Sequence, residues 1–186
     1  DQSHGQANSA LKGEAHFLHE AQSALVNGNF ESALRLYSKV LEFNPQNAPA
    51  WTGQVRMLIE LGEYREAKLW ADKALEHFPH EPELLAAKAV ALGRSGDLPG
   101  ALAFSDAAIE ERGDTPYIWL ARGDVLLSRK EARADYCFDK ALALAPQWPA
   151  PTRQILLGAF GVGLAVVLVQ IFVRRRLGIL SSALSW

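Results

Sequence analysis

The stretch NGNFESALRLYSKVLEFNP, residues 27–45, recurs as LGEYREAKLWADKALEHFP at 61–79 and as SGDLPGALAFSDAAIEERG at 95–113. Gly28, Gly62 and Gly96 stand 34 residues apart, Ala33, Ala67 and Ala101 keep that interval, and Pro45 and Pro79 close the first two copies. A fourth copy, PYIWLARGDVLLSRKEARADYCFDKALALAP at 116–146, has Trp119 and Pro146 in register but a turn one residue shorter and without glycine. A fixed period of this length is the mark of stacked supersecondary units. We place an N-terminal arm at 1–13, four units at 14–47, 48–81, 82–115 and 116–147, a connector at 148–154, an apolar segment at 155–173 and a tail at 174–186.

Each unit reads as a helical hairpin. The glycine ends helix A in the left-handed conformation that a side chain disfavours, and the proline stops helix B because it cannot donate to the helical ladder. Large residues early in helix A, Phe17, Trp51, Leu85 and Trp119, are followed four positions later by Ala21, Val55, Ala89 and Gly123. Ala33, Ala67, Ala101 and Ala134, then Val40, Ala74, Ala108 and Ala141, repeat the small side in helix B. Large side chains fill the gaps and small ones let helices approach.

Repeat length, turn glycine, paired small residues and terminal proline together resemble the tetratricopeptide repeat family. Gly113 in place of the proline, Leu98 in place of the turn aromatic, and the short turn SRKEARA depart from it. The resemblance implies an all-α superhelix of antiparallel helix pairs, its A helices lining a concave groove for partner peptides or helices. The inward residues it implies are Leu18, His19, Gln22 and Leu25; Thr52, Arg56, Ile59 and Glu60; Ala86, Val90 and Arg94; and Tyr117, Leu120, Asp124 and Leu127. They predict a mostly apolar channel with isolated charges. The positions with which chaperone-binding members capture a terminal carboxylate are Leu18, Gln22, Gly53 and Ala87 here, so an apolar segment or amphipathic helix is the expected guest. The alternative is that these residues pack against one another and the N-terminal arm.

Residues 1–153 carry sixteen basic and twenty-one acidic side chains, an excess of five negative charges that argues against nucleic acid. Cys137 is the sole cysteine, which excludes an intrachain disulfide or a thiolate cluster, and its place in helix B suggests a small buried hydrophobe. His16 and His19 share a helix face without a third ligand at matching spacing, and His77 and His80 straddle a helix end where a histidine serves the dipole. Ser9 and Lys12 have a serine–lysine spacing of some acyl enzymes but no companion motif. We therefore expect no catalytic residue, no cofactor and no metal.

The segment ILLGAFGVGLAVVLVQIFV, Ile155 to Val173, belongs to a run of twenty uncharged residues between Arg153 and Arg174. As a helix its nineteen residues would span about 28 Å, close to the thickness of a bilayer core. Ala159 with Gly163 and Gly161 with Ala165 form small-xxx-small faces suited to close packing in a membrane. Arg174, Arg175 and Arg176 predict a cytoplasmic C-terminus, hence a single-pass protein whose repeat domain is periplasmic or otherwise extracytoplasmic. A chain starting at Asp1 fits removal of an export signal. The expected function is a non-enzymatic scaffold or assembly factor whose partners are other proteins and the bilayer. The alternatives are an accessory subunit embedded in a large membrane complex through its helix and tail, and a cytosol-facing tail-anchored receptor.

Overall fold

A computed structural model describes residues 2–145, with side chains from Lys12 onward. Among the described residues there are eight helices: α1 (Gln2–Val26), α2 (Phe30–Phe43), α3 (Ala48–Glu60), α4 (Tyr64–His77), α5 (Pro82–Arg94), α6 (Leu98–Glu111), α7 (Pro116–Ser128) and α8 (Ala134–Leu144). Successive pairs form the hairpins, and the A helices α3, α5 and α7 lie side by side. Residues 2–13, assigned above to an arm, continue α1. No proline interrupts the stretch, and Ala7, Ala10, Leu11 and Lys12 favour helix.

All four hairpin turns close with the same two backbone bonds. Gly28 N–H donates to Leu25 O at 3.0 Å while Asn29 N–H reaches back to Ala24 O at 2.9 Å. Gly62 with Glu63, Gly96 with Asp97, and Lys130 with Glu131 repeat the arrangement. It is the Schellman closure, which needs a left-handed residue at its first donor. The three glycines supply it at φ 73°, 79° and 92°, and Lys130, again 34 residues on, adopts φ 59° without being glycine. The short fourth turn instead costs α8 its first helical turn: it has eleven residues against fourteen in α2, α4 and α6.

Within each hairpin the predicted large–small pairing holds. Ala21, Val55 and Ala89 are fully buried, as are Ala33, Ala67 and Ala101 on the B helices. A Cβ placed on Gly123 would run into the Phe138 ring, so only glycine admits that aromatic. Gly53 stands in the same relation to Tyr37.

Gly113 replaces the closing proline without loss, because what the position contributes is its carbonyl. The Trp51 indole N–H donates to Pro45 O at 2.8 Å, and the Trp119 indole N–H donates to Gly113 O at the same distance, two repeats later. Helix α6 still ends at Glu111, where Arg112 turns extended. Among the described residues no helix is long and apolar enough to cross a membrane. The segment 155–173 with Ala159, Gly161, Gly163 and Ala165, and the arginines 174–176, lie outside the described residues.

Candidate functional site on the inner face of the A helices

Three A helices bring six polar side chains together. Arg56 of α3 lays its guanidinium over the ring of Tyr117 on α7, 3.9 Å from the centroid, and its Nη1 lies 3.9 Å from the Glu83 carboxylate on α5. Two turns further along α7, Asp124 is gripped by Arg94 of α5 with two bonds, Nη2 to Oδ1 at 2.5 Å and Nε to Oδ2 at 3.1 Å. Asp124 is 4% exposed, so this fork-on-carboxylate pair works where water screens little. Glu60 completes the group at the end of α3.

Burial and neighbouring charge shift these groups together. Burial pushes the Tyr117 phenol well above its ordinary range, against the pull of Arg56. Burial also raises the Glu60 carboxyl; Arg56 and Arg94 draw it down, and Asp124 adds to the rise. Tyr37, packed under Gly53, is likewise raised by burial. The face expected to be an apolar channel with isolated charges is instead an ionic lattice. The charges are not isolated because the A helices α3, α5 and α7 pack side by side, so Arg56 of one unit reaches Glu83 and Tyr117 of the next two.

The structure divides the sequence-derived groove residues by burial and contact. Arg56, Arg94, Tyr117 and Asp124 meet as described, with Glu60 beside them. Thr52, Ala86, Val90 and Leu120 are 4%, 1%, 1% and 1% exposed and serve as packing between helices rather than as surface. Leu18 and Leu25 of α1 pack against the buried cluster of Ala21, Tyr37 and Met57. His19 and Gln22 line a separate shallow cavity of about 350 Å³ with Ser23, Val26 and Asn27. Ile59 is half-buried and Leu127 exposed. Gly53 and Ala87 are both buried and offer no donor for a carboxylate.

Glu83 is absent from the sequence-derived set, although its repeat position is that of Tyr117, 34 residues later, and that equivalence was the available signal. Elsewhere, His16 and His19 are exposed, His77 lies in the last turn of α4, and His80 Nδ1 is 2.6 Å from Glu111 Oε1. Cys137 is buried, and burial raises its thiol above the usual range. Among the described residues no group of three or more His, Cys, Asp or Glu is placed to hold a metal ion.

Residues 24–91 match the tetratricopeptide repeat family model. The SGT1 homolog of Oryza sativa subsp. japonica is 37% identical over 60 residues, which are 32% of this chain. The chain spans only about 16% of the length of that curated relative. Among solved structures, a thermophilic tetratricopeptide protein of Thermus thermophilus superposes with a TM-score of 0.62 at 23% identity, covering 81% of this chain and 82% of that one. The Arabidopsis OM64 tetratricopeptide domain gives 0.57 at 15% identity, over 65% and 98% of the two chains. The TPR2B domain of yeast Sti1, solved as a complex with pHsp70, gives 0.53 at 20%, over 71% and 98%. The described fold is an all-α tetratricopeptide solenoid.

Proposed function

We propose that this chain is a non-catalytic scaffold that holds a segment of another protein on the inner face of α3, α5 and α7, and that residues 155–173 tie it to a membrane. The observation that carries the reading is the inner face itself. Arg56 spans from α3 to Tyr117 of α7 across α5, which links three units into one charged surface. A pre-ordered surface loses little side-chain entropy when a guest arrives, which favours binding over a loose channel. Each of its arginines is paired with a carboxylate, Arg56 with Glu83 and Arg94 with Asp124, rather than a nucleophile with a general base, so the surface suits recognition.

Support for the membrane part comes from the uncharged run 154–173 and the three arginines that follow it. On this reading the repeat domain lies outside the cytoplasm and the arginines inside. In alkaline carbonate the full chain stays with the membrane pellet while a chain ending at residue 150 is released; equal release of both would refute the anchor. Replacing Leu127 with Glu on the full chain, purified in mild detergent, removes proteins that co-purify with it. Unchanged co-purification would refute the use of the inner face.

A further inference from the structure

The repeat register leaves one charge of the inner face without a counterpart. Arg94 and Asp124, thirty residues apart, link the end of one A helix to the middle of the next. Glu60 holds the position of Arg94 one unit earlier, and thirty residues on from it stands Val90, which is apolar and 1% exposed. The equivalent pair therefore does not form, and among the described residues Glu60 takes neither a hydrogen bond nor an ion pair. The two nearby guanidiniums are committed elsewhere, Arg94 to Asp124 and Arg56 to Glu83 and the Tyr117 ring. Counting Arg56 and Arg94 against Glu60, Glu83 and Asp124, the surface carries one surplus negative charge, and it is the half-buried Glu60 that is unpaired.

From this geometry we infer that the segment bound on the inner face places a Lys or Arg side chain against Glu60, which acts as its counter-ion and sets the register of the guest. The inference rests on the proposed use of that face for binding. A half-buried carboxylate short of hydrogen bonds gains most from a donor that brings its own positive charge. An acidic guest would have to displace Asp124 or Glu83 from an arginine already engaged, and would meet the surplus charge besides. The raised carboxyl of Glu60 agrees with a group that lacks such a donor in the free chain.

The test is selection of a random twelve-residue peptide display library on the full chain, followed by affinity measurement of enriched peptides. Enriched sequences carry Lys or Arg at one shared position, and acetylation of that lysine, or citrulline in place of the arginine, weakens binding about tenfold. Glu60→Gln, which keeps the shape, abolishes this discrimination, whereas Glu63→Gln at the exposed turn, the same change in net charge, preserves it. Enriched peptides without a shared basic residue, or equal affinity for charged and neutralised forms, overturn the inference and leave the binding reading standing. Enrichment of acidic peptides does the same and reassigns the anchor to Arg56 and Arg94. If nothing is enriched, the binding reading itself fails.

Discussion

Lys130 is the one residue in the four hairpin turns that holds a left-handed backbone without being glycine, and replacing it with glycine should stabilise the protein. The size of the gain can be worked from its three counterparts. A Cβ added at Gly28, Gly62 or Gly96 meets nothing within 4 Å, so a side chain at that position costs only backbone energy. For an L-residue in the left-handed region that energy is roughly 1–2 kcal/mol. Glycine gives back roughly 0.5–1 kcal/mol through the greater freedom of the unfolded chain. Lys130→Gly therefore gains about 1 kcal/mol, a rise of about 3 °C in the melting midpoint for a domain of this size. Helical circular dichroism of the full chain on heating and in urea measures it, and Gly62→Ala should show a loss of similar size. A neutral or destabilising Lys130→Gly beside a costly Gly62→Ala would show that the fourth turn does not close as the others do.

Asp124→Ala should destabilise by about 2 kcal/mol, because it leaves the Arg94 guanidinium partly buried and unpaired, while Glu42→Ala at the exposed Lys39–Glu42 pair costs at most about 0.5 kcal/mol; urea midpoints compare them. Glu60→Gln should raise the melting midpoint at neutral pH. The folded Glu60 carboxyl titrates above its unfolded counterpart, so its ionised form weakens folding increasingly as pH rises through the interval between the two values; the gain from glutamine accordingly fades below the ordinary carboxylate range, near pH 4, and a gain that persists there would refute this cause. Cys137 should react with a thiol reagent only at the rate of local or global unfolding, since it is buried and its thiolate is disfavoured; rapid labelling of the folded protein would contradict its placement.

The helices were legible because their signals are local. Glycine spacing marks the turns, and small residues at fixed offsets mark where helices touch. The alanine set from Ala21 to Ala141 and the role of Gly123 could be named before any coordinate. The character of the inner face could not be read in this way. Which of the inward side chains are exposed depends on how closely neighbouring A helices pack, and that is a property of three units together. Leu120 and Val90 therefore passed for lining when they are packing, and Arg56 passed for an isolated charge when it reaches Tyr117. Gly113 shows the converse: a departure from the repeat at the level of the side chain that changes nothing, because the Trp119 indole bonds to the main chain.

The inner face can be tested most directly with a photo-crosslinking amino acid placed at Leu127 on α7, three residues past Asp124, and at Leu69 on α4, which is more exposed still at 55% against 42%. Irradiated in cells and analysed by mass spectrometry, the full chain should yield a discrete adduct with one partner protein from Leu127, lost on Glu60→Gln, and none from Leu69. Adducts from Leu69 alone, or equally from both, would contradict the claim that the inner face of the A helices is where this protein holds its partner.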